Sequence, residues 1–245
     1  MGAIKVINVA KEHALPRGER LRVLDDISFE AGDRSFTSIL GPSGCGKSTI
    51  LNLIAGLDQH SSGQISIDGT RIGFVFQQPR LLNWRTVEQN VILPLEQQKY
   101  EKHAMRALAA KYLGLVGLAG YENYYPLQLS GGMQQRVAIA RALVIDPDIL
   151  LMDEPFSGLD EITARKLRQQ LIRIWQETGK TILFVTHSIS ESVFLSQQIL
   201  IVSVKPARIF KRITVDLAYP REYGDLRLFE IETQLTKDFL GMSTE

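Results

Sequence analysis

The 245-residue chain has a single cysteine, Cys45. It therefore cannot close an internal disulfide, and the reducing cytoplasm is its expected compartment. No apolar run approaches the ~18 to 20 residues that span a bilayer. The most apolar segments are short pieces such as Ile149 to Met152, so the chain is not expected to cross a membrane itself. An excess of one charge is also missing. The 28 Lys and Arg stand against 27 Asp and Glu, and a net charge of +1 leaves no overall field that advertises nucleic acid or an anionic membrane as a partner. The opening residues MGAIKVINVAKEH carry Lys5, Asn8, Lys11 and Glu12 where a secretory signal needs an apolar stretch. There is no repeat, no low-complexity tract and no linker, and no Phe, Tyr or Trp precedes Phe29. What is present is core-forming material: 44% hydrophobic residues in a chain of this length excludes intrinsic disorder.

Short β-rich runs alternate with helical stretches, which predicts an α/β fold with a mainly parallel sheet. Ser35 to Leu40, Asp148 to Met152 and Thr181 to Val185 read as buried central strands. Each is followed by a helical pattern, from Lys47, Asp160 and Ser188. Residues 85 to 145 read as an inserted helical subdomain, with Pro94 kinking or ending its first piece. KVINVA, RVLDDISFE, QISIDG and RIGFVFQ read as an antiparallel sheet flanking the core. Residues 206 to 245 add a short strand, RIFKRITVDL, and a terminal helix from Arg221. The whole, 1 to 245, is expected to be one domain.

GPSGCGKST, formed by Gly41, Pro42, Ser43, Gly44, Cys45, Gly46, Lys47, Ser48 and Thr49, lies between a predicted strand and a predicted helix. That is the context of a phosphate-binding loop. Its glycines let backbone N–H groups converge on phosphate oxygens, and the helix end adds partial positive charge. Lys47 would reach the β- and γ-phosphates and Ser48 would ligate Mg²⁺. Cys45, beside Lys47 and a helix start, is expected to have a lowered pKa and to react with alkylating agents.

Asp153 and Glu154 end the strand DILLMDEP. The first is placed for the Mg²⁺ shell and the second for an attacking water. Without a phosphate loop the pair would read as a solvated acidic turn. In LSGGMQQR, Ser130 can cap a helix while Gly131 and Gly132 allow close approach of backbone to a ligand, which would make a second anion site. An ordinary Ser-Gly cap has the same signature. Arg136 and Arg141 read as a solvated helix face.

The ordered set GPSGCGKST, FQQ, LSGGMQQR, LLMDEP, SGLD and TH resembles the nucleotide-binding subunit of ABC transporters over essentially the whole chain. The resemblance implies a P-loop ATPase core with an antiparallel β subdomain and a helical subdomain, and ATP with Mg²⁺ as cofactors. It assigns Gln77 to the Q-loop, where it senses γ-phosphate and metal, Ser130 to Gln134 to the signature, Ser157 to Asp160 to the D-loop, and His187 to the switch histidine. It also implies a head-to-tail dimer of two such subunits, in which one copy's signature completes the other's ATP site. His13 stands about where the family has an adenine-stacking aromatic.

The segments LLNWRTVEQNVILPLE, TGKTILFVTHSISESVFLSQQILIVS and KPARIFKRITVDLAYPRE look like importers of nitrate, sulfonate and taurine. FSGLD replaces the common FGALD. Such a subunit sits peripherally on the cytoplasmic side of the membrane. It meets permease subunits through the region from Gln77 to Trp84, where Pro79, Leu81, Leu82 and Trp84 need a cover, and it serves a solute-binding protein indirectly. The alternative is a non-transport ABC ATPase acting on nucleic acid or ribosomes. The long coiled coil or paired cassettes of those proteins do not occur here, so no nucleic acid partner is expected.

Overall fold

The structure, a computed structural model, describes residues 2–14, 16, 19–69, 71–98 and 100–241. The chain divides into two units. The first comprises Met1–Gly69 with Thr181–Glu245, and the second Thr70–Lys180.

In the first unit, β1 (Ala3–Ala14) pairs antiparallel with β2 (Arg20–Ala31) on one side and with β4 (Ser62–Asp68) on the other. Ile4 and Val6 of β1 and Ile27 and Phe29 of β2 are buried while their neighbours reach solvent, the pattern of a sheet with one covered face, whereas Val9 and Ala10 and Val23 and Leu24 are buried in succession. Asn8 and Asp26 adopt left-handed φ of 48° and 57°, which matches the irregular register around them. A second sheet holds β3 (Phe36–Leu40) between β7 (Thr181–Thr186) and β8 (Gln198–Val202), all parallel, with β9 (Ile209–Thr214) antiparallel to β8. All residues of β3 and β7 are buried, as a strand covered on both faces requires. The helix α1 (Lys47–Ile54) packs on β7, and α6 (Ile189–Leu195) packs on β3 and β7. The terminal helix α7 (Leu226–Gly241) lies against α6.

That last helix begins five residues later than the sequence predicts. Arg221 is buried and spent elsewhere: its guanidinium donates to the carbonyls of Val193, Phe194 and Ser196 at the end of α6. It also donates to Val215 and Leu217 and stacks 4.2 Å over the Tyr219 ring. This arginine closes the carbonyl end of one helix rather than starting another.

In the second unit, β5 (Ile72–Val75) and β6 (Ile149–Asp153) pair in parallel. This corrects the reading of RIGFVFQ as part of the antiparallel sheet. Alternation alone does not set strand direction, and Gly73 lets this strand press against α4 (Gly131–Leu143), where a Cβ would stand 2.6 Å from the Ala142 carbonyl. The helices α2 (Val87–Ile92) and α3 (Lys102–Leu115) pack with each other and with α4. Pro94 sits in the 3-10 turn Leu93–Leu95 that ends α2. The helix α5 (Glu161–Thr178) buries Ala164, Leu167, Leu171, Ile174 and Trp175 at three- and four-residue spacing and stops at Gly179 in the left-handed region. The buried Arg168 on that face is paired with Glu161 through two contacts of 3.1 Å.

Candidate functional site

In the first unit, β3 runs into Gly41 and the chain then turns around Lys47. The Lys47 ammonium is buried within the loop and donates to the carbonyls of Gly41 at 3.0 Å and Pro42 at 2.9 Å. Gly44 and Gly46 have φ of 76° and 121°, backbone that strongly favours glycine. Gly46 also lacks room, since a Cβ there would stand 2.9 Å from the Leu24 side chain, whereas one at Gly44 would meet nothing within 4 Å. Ser43, Gly44 and Ser48 are exposed, and Pro42 and Thr49 are partly so. The result is a partly exposed glycine-rich turn around a buried cation with a helix start beside it, a composition suited to the phosphate chain of a nucleotide.

Cys45, within that loop, is buried, at 3% exposure. Burial pushes its thiol pKa up, ahead of the opposing effect of Lys47. The expectation of a reactive, low-pKa thiol is therefore corrected, because desolvation outweighs the nearby charge. His13 is exposed near the end of β1, in register with Leu21. His187 is exposed in the one-residue link between β7 and Ser188, the N-cap of α6.

In the second unit, Asp153 and Glu154 are half-buried at the end of β6. Glu154 has a φ of 40°, uncommon for a residue with a side chain. Its carbonyl is held by the Ser157 backbone N–H at 3.1 Å and the Ser157 hydroxyl at 2.9 Å, so this serine fixes the strained turn that carries the carboxylate. Asp160 caps α5, accepting from the Thr163 N–H, and hydrogen bonds from the Thr163 side chain first and its backbone second hold the Asp160 carboxyl below the ordinary range.

Ser130 caps α4, accepting from the Met133 N–H at 3.3 Å. Gly131 is exposed, but Gly132 is buried, and a Cβ on it would fall 2.5 Å from Thr163 Cγ2. Gly132 therefore lets α4 pack closely on α5. The Gln134 carboxamide donates to the carbonyls of Pro126 and Leu129, bracing the segment before the cap.

Gln77 is exposed just beyond β5. Three residues to which the sequence reading gave no site role hold the chain on either side of it. Gln135, buried on α4, donates to the Phe76 carbonyl. Arg141 donates to Pro79 at 2.6 Å and Arg80 at 2.9 Å, so its reading as a solvated helix side chain is corrected, and Arg136 is also half-buried. Asn90, fully buried, accepts from the Leu82 N–H and donates to the carbonyls of Leu82, Arg85 and Thr86. Such side-chain ties to a loop backbone depend on three-dimensional proximity, which leaves no local spacing to read.

Residues 24–157 match the family profile "ABC transporter". An uncharacterized ABC transporter ATP-binding protein of Methanocaldococcus jannaschii, MJ0412, is 43% identical over 239 residues, covering 95% of this chain and 89% of that protein. The chain belongs to the ABC transporter ATP-binding family. It is an ABC-type ATPase. This cassette is also 42% identical to the aliphatic sulfonates import ATP-binding protein SsuB of Bacillus cereus, covering 95% of the chain and 94% of that protein. To the taurine import ATP-binding protein TauB of Rhizobium johnstonii it is 41% identical, covering 96% and 92%. Among solved structures, a dimeric post-hydrolysis state of the cassette MJ0796 bound to ADP and Pi superimposes with a TM-score of 0.78 at 34% identity, covering 88% of this chain and all of that one.

Proposed function

We propose that this ATPase powers uptake of a small solute, an anion such as nitrate, a sulfonate or taurine, through a separate membrane permease. The observation that carries the reading is the glycine-rich turn closed around the buried Lys47 ammonium at the start of α1. The names of the similar sulfonate and taurine proteins support import. The two units act as one cassette, 1 to 245. Lys47 and the loop N–H groups from Gly41 to Thr49 hold the phosphates, with His13 beside the adenine. Ser48, Gln77 and Asp153 would hold Mg²⁺, which when bound offsets phosphate charge. Glu154 takes a proton from the attacking water, and His187 and Gln77 contact the γ-phosphate.

The dimeric MJ0796 cassette supports pairing with a second copy or a homologous ATPase. Ser130 to Gln134 of one copy then face the nucleotide of the other. ATP favours the closed dimer because it binds that state more tightly, and hydrolysis reopens it. The subunit sits on the cytoplasmic face of the membrane, held by the permease, which in turn receives solute from a binding protein. Support for the permease contact comes from Trp84, 75% exposed, and from a pocket of about 390 Å³ lined by Phe74, Phe76, Arg80, Leu93, Pro94 and Arg141. An exposed tryptophan and an apolar pocket are the kinds of feature that anchor a partner helix.

Glu154→Gln tests the chemistry. Turnover is expected to fall by ~10² or more, about 2.7 kcal/mol of barrier, with ATP binding kept and a stable ATP-bound dimer in light scattering. Near-normal turnover from a monomer would overturn the assignment. For the permease contact, Trp84→Ala should retain ATP binding but lose pull-down of the permease.

A further inference from the structure

We propose that Thr186 and Glu191 are positioning residues that fix His187 against the phosphate loop. The inference rests on the reading of His187 as a γ-phosphate contact. Thr186 is the buried last residue of β7, and three of its bonds converge on the site. Its carbonyl accepts from the N–H of Gly41, the first residue of the phosphate loop, at 3.3 Å. Its hydroxyl accepts from the Ser188 N–H at 3.0 Å and donates to Glu191 Oε2 at 2.6 Å. The Glu191 N–H in turn donates to the Ser188 hydroxyl at 3.3 Å. His187 is thereby enclosed between two tied residues.

An N-capping serine followed three residues later by glutamate ordinarily makes a capping box, in which the glutamate accepts directly from the serine N–H. Here the Thr186 hydroxyl is interposed between the two. A box that serves only the helix has no use for this relay. With it, the strand end that carries the Gly41 bond and the helix that follows His187 become one hydrogen-bonded unit. The hydroxyl-to-carboxylate link is short and charge-assisted, hence among the stronger bonds of its kind. The helix bearing Glu191 is anchored at its far end as well, by Arg221 on the carbonyls of Val193, Phe194 and Ser196 and by the Tyr219 hydroxyl on Leu195 at 2.6 Å. The exposed imidazole is therefore mounted on a backbone fixed from both sides, which is what a contact made only when nucleotide arrives requires.

The test measures ATPase turnover, affinity for a fluorescent ATP analogue and melting temperature for Thr186→Val, Thr186→Ser and Glu191→Ala, alone and combined with His187→Ala. Thr186→Val should lower kcat about ten- to a hundredfold, the scale of misplaced contacting groups, while nucleotide affinity stays that of the wild type. Thr186→Ser keeps the hydroxyl and should recover most of that loss. In the His187→Ala background Thr186→Val should lower kcat no further, because nothing remains to be positioned. The same fractional loss in both backgrounds would overturn the brace while leaving the role of His187 standing. Full turnover of His187→Ala would remove both. Should Thr186→Val fail to fold, Glu191→Ala carries the same comparison from the other end of the bond.

Discussion

The N-termini of α1 and α4 are both glycine-rich, and the chain finishes them differently. At α1 the N-cap is Gly46, with no side-chain cap, and the residues before it turn around Lys47. At α4 the N-cap is Ser130, whose hydroxyl already takes the Met133 N–H, and Gly132 is filled by Thr163. A helix start without its own cap is completed by whatever anion it binds. One that is capped from within is stable before any ligand arrives. The same composition thus leaves one helix start without a side-chain cap and gives the other a cap of its own.

The largest effect that would sharpen this contrast is at the lysine. Lys47→Ala removes a charged donor, and hydrogen bonds to charged groups contribute about 1.5–3 kcal/mol, so ATP affinity should fall about ten- to a hundredfold in a fluorescence titration. Unchanged affinity would deny α1 its ligand. Next is the packed glycine. Gly132→Ala drives a Cβ to 2.5 Å from Thr163 Cγ2 and should cost about 1–3 kcal/mol in denaturant unfolding. Adding Thr163→Ser, which deletes that methyl, should restore most of it. Gly44→Ala has no clash to relieve and should lose about 1 kcal/mol, through its φ of 76° alone. Ser130→Ala should cost about 1 kcal/mol of stability through loss of the cap, an effect with no counterpart at α1.

The smallest effect concerns Cys45. With its pKa raised above the ordinary 9.0, the thiolate forms only as pH climbs past that value. Maleimide labelling of the folded protein at pH 7 should therefore be slow and should rise with pH or on unfolding. Fast labelling at pH 7 would contradict the burial.

Much of this arrangement is legible along the chain. Ser35 to Leu40, Asp148 to Met152 and Thr181 to Val185 are found as strands within one residue, because a short apolar run bounded by polar residues has few other uses. The helices after Lys47, Asp160 and Ser188 are likewise present, each announced by a glycine loop or a capping side chain. Strand direction at Ile72–Val75 was not legible, since alternation is the same in either sense. The start of α7 was misplaced because Arg221 looks like any surface arginine until the carbonyls of α6 surround it.

The sequence by itself determined where the glycine loop, its lysine and the paired carboxylates lie, since these are tied to local spacing and to the ends of local elements. Tertiary structure alone decided what surrounds the side chains. It buried Cys45 so that desolvation beats the adjacent cation, turned Arg141 onto the carbonyls of Pro79 and Arg80, and placed the Thr186 hydroxyl between Ser188 and Glu191. Solvent exclusion and hydrogen-bond satisfaction depend on what the folded chain brings alongside, and no window of sequence contains that.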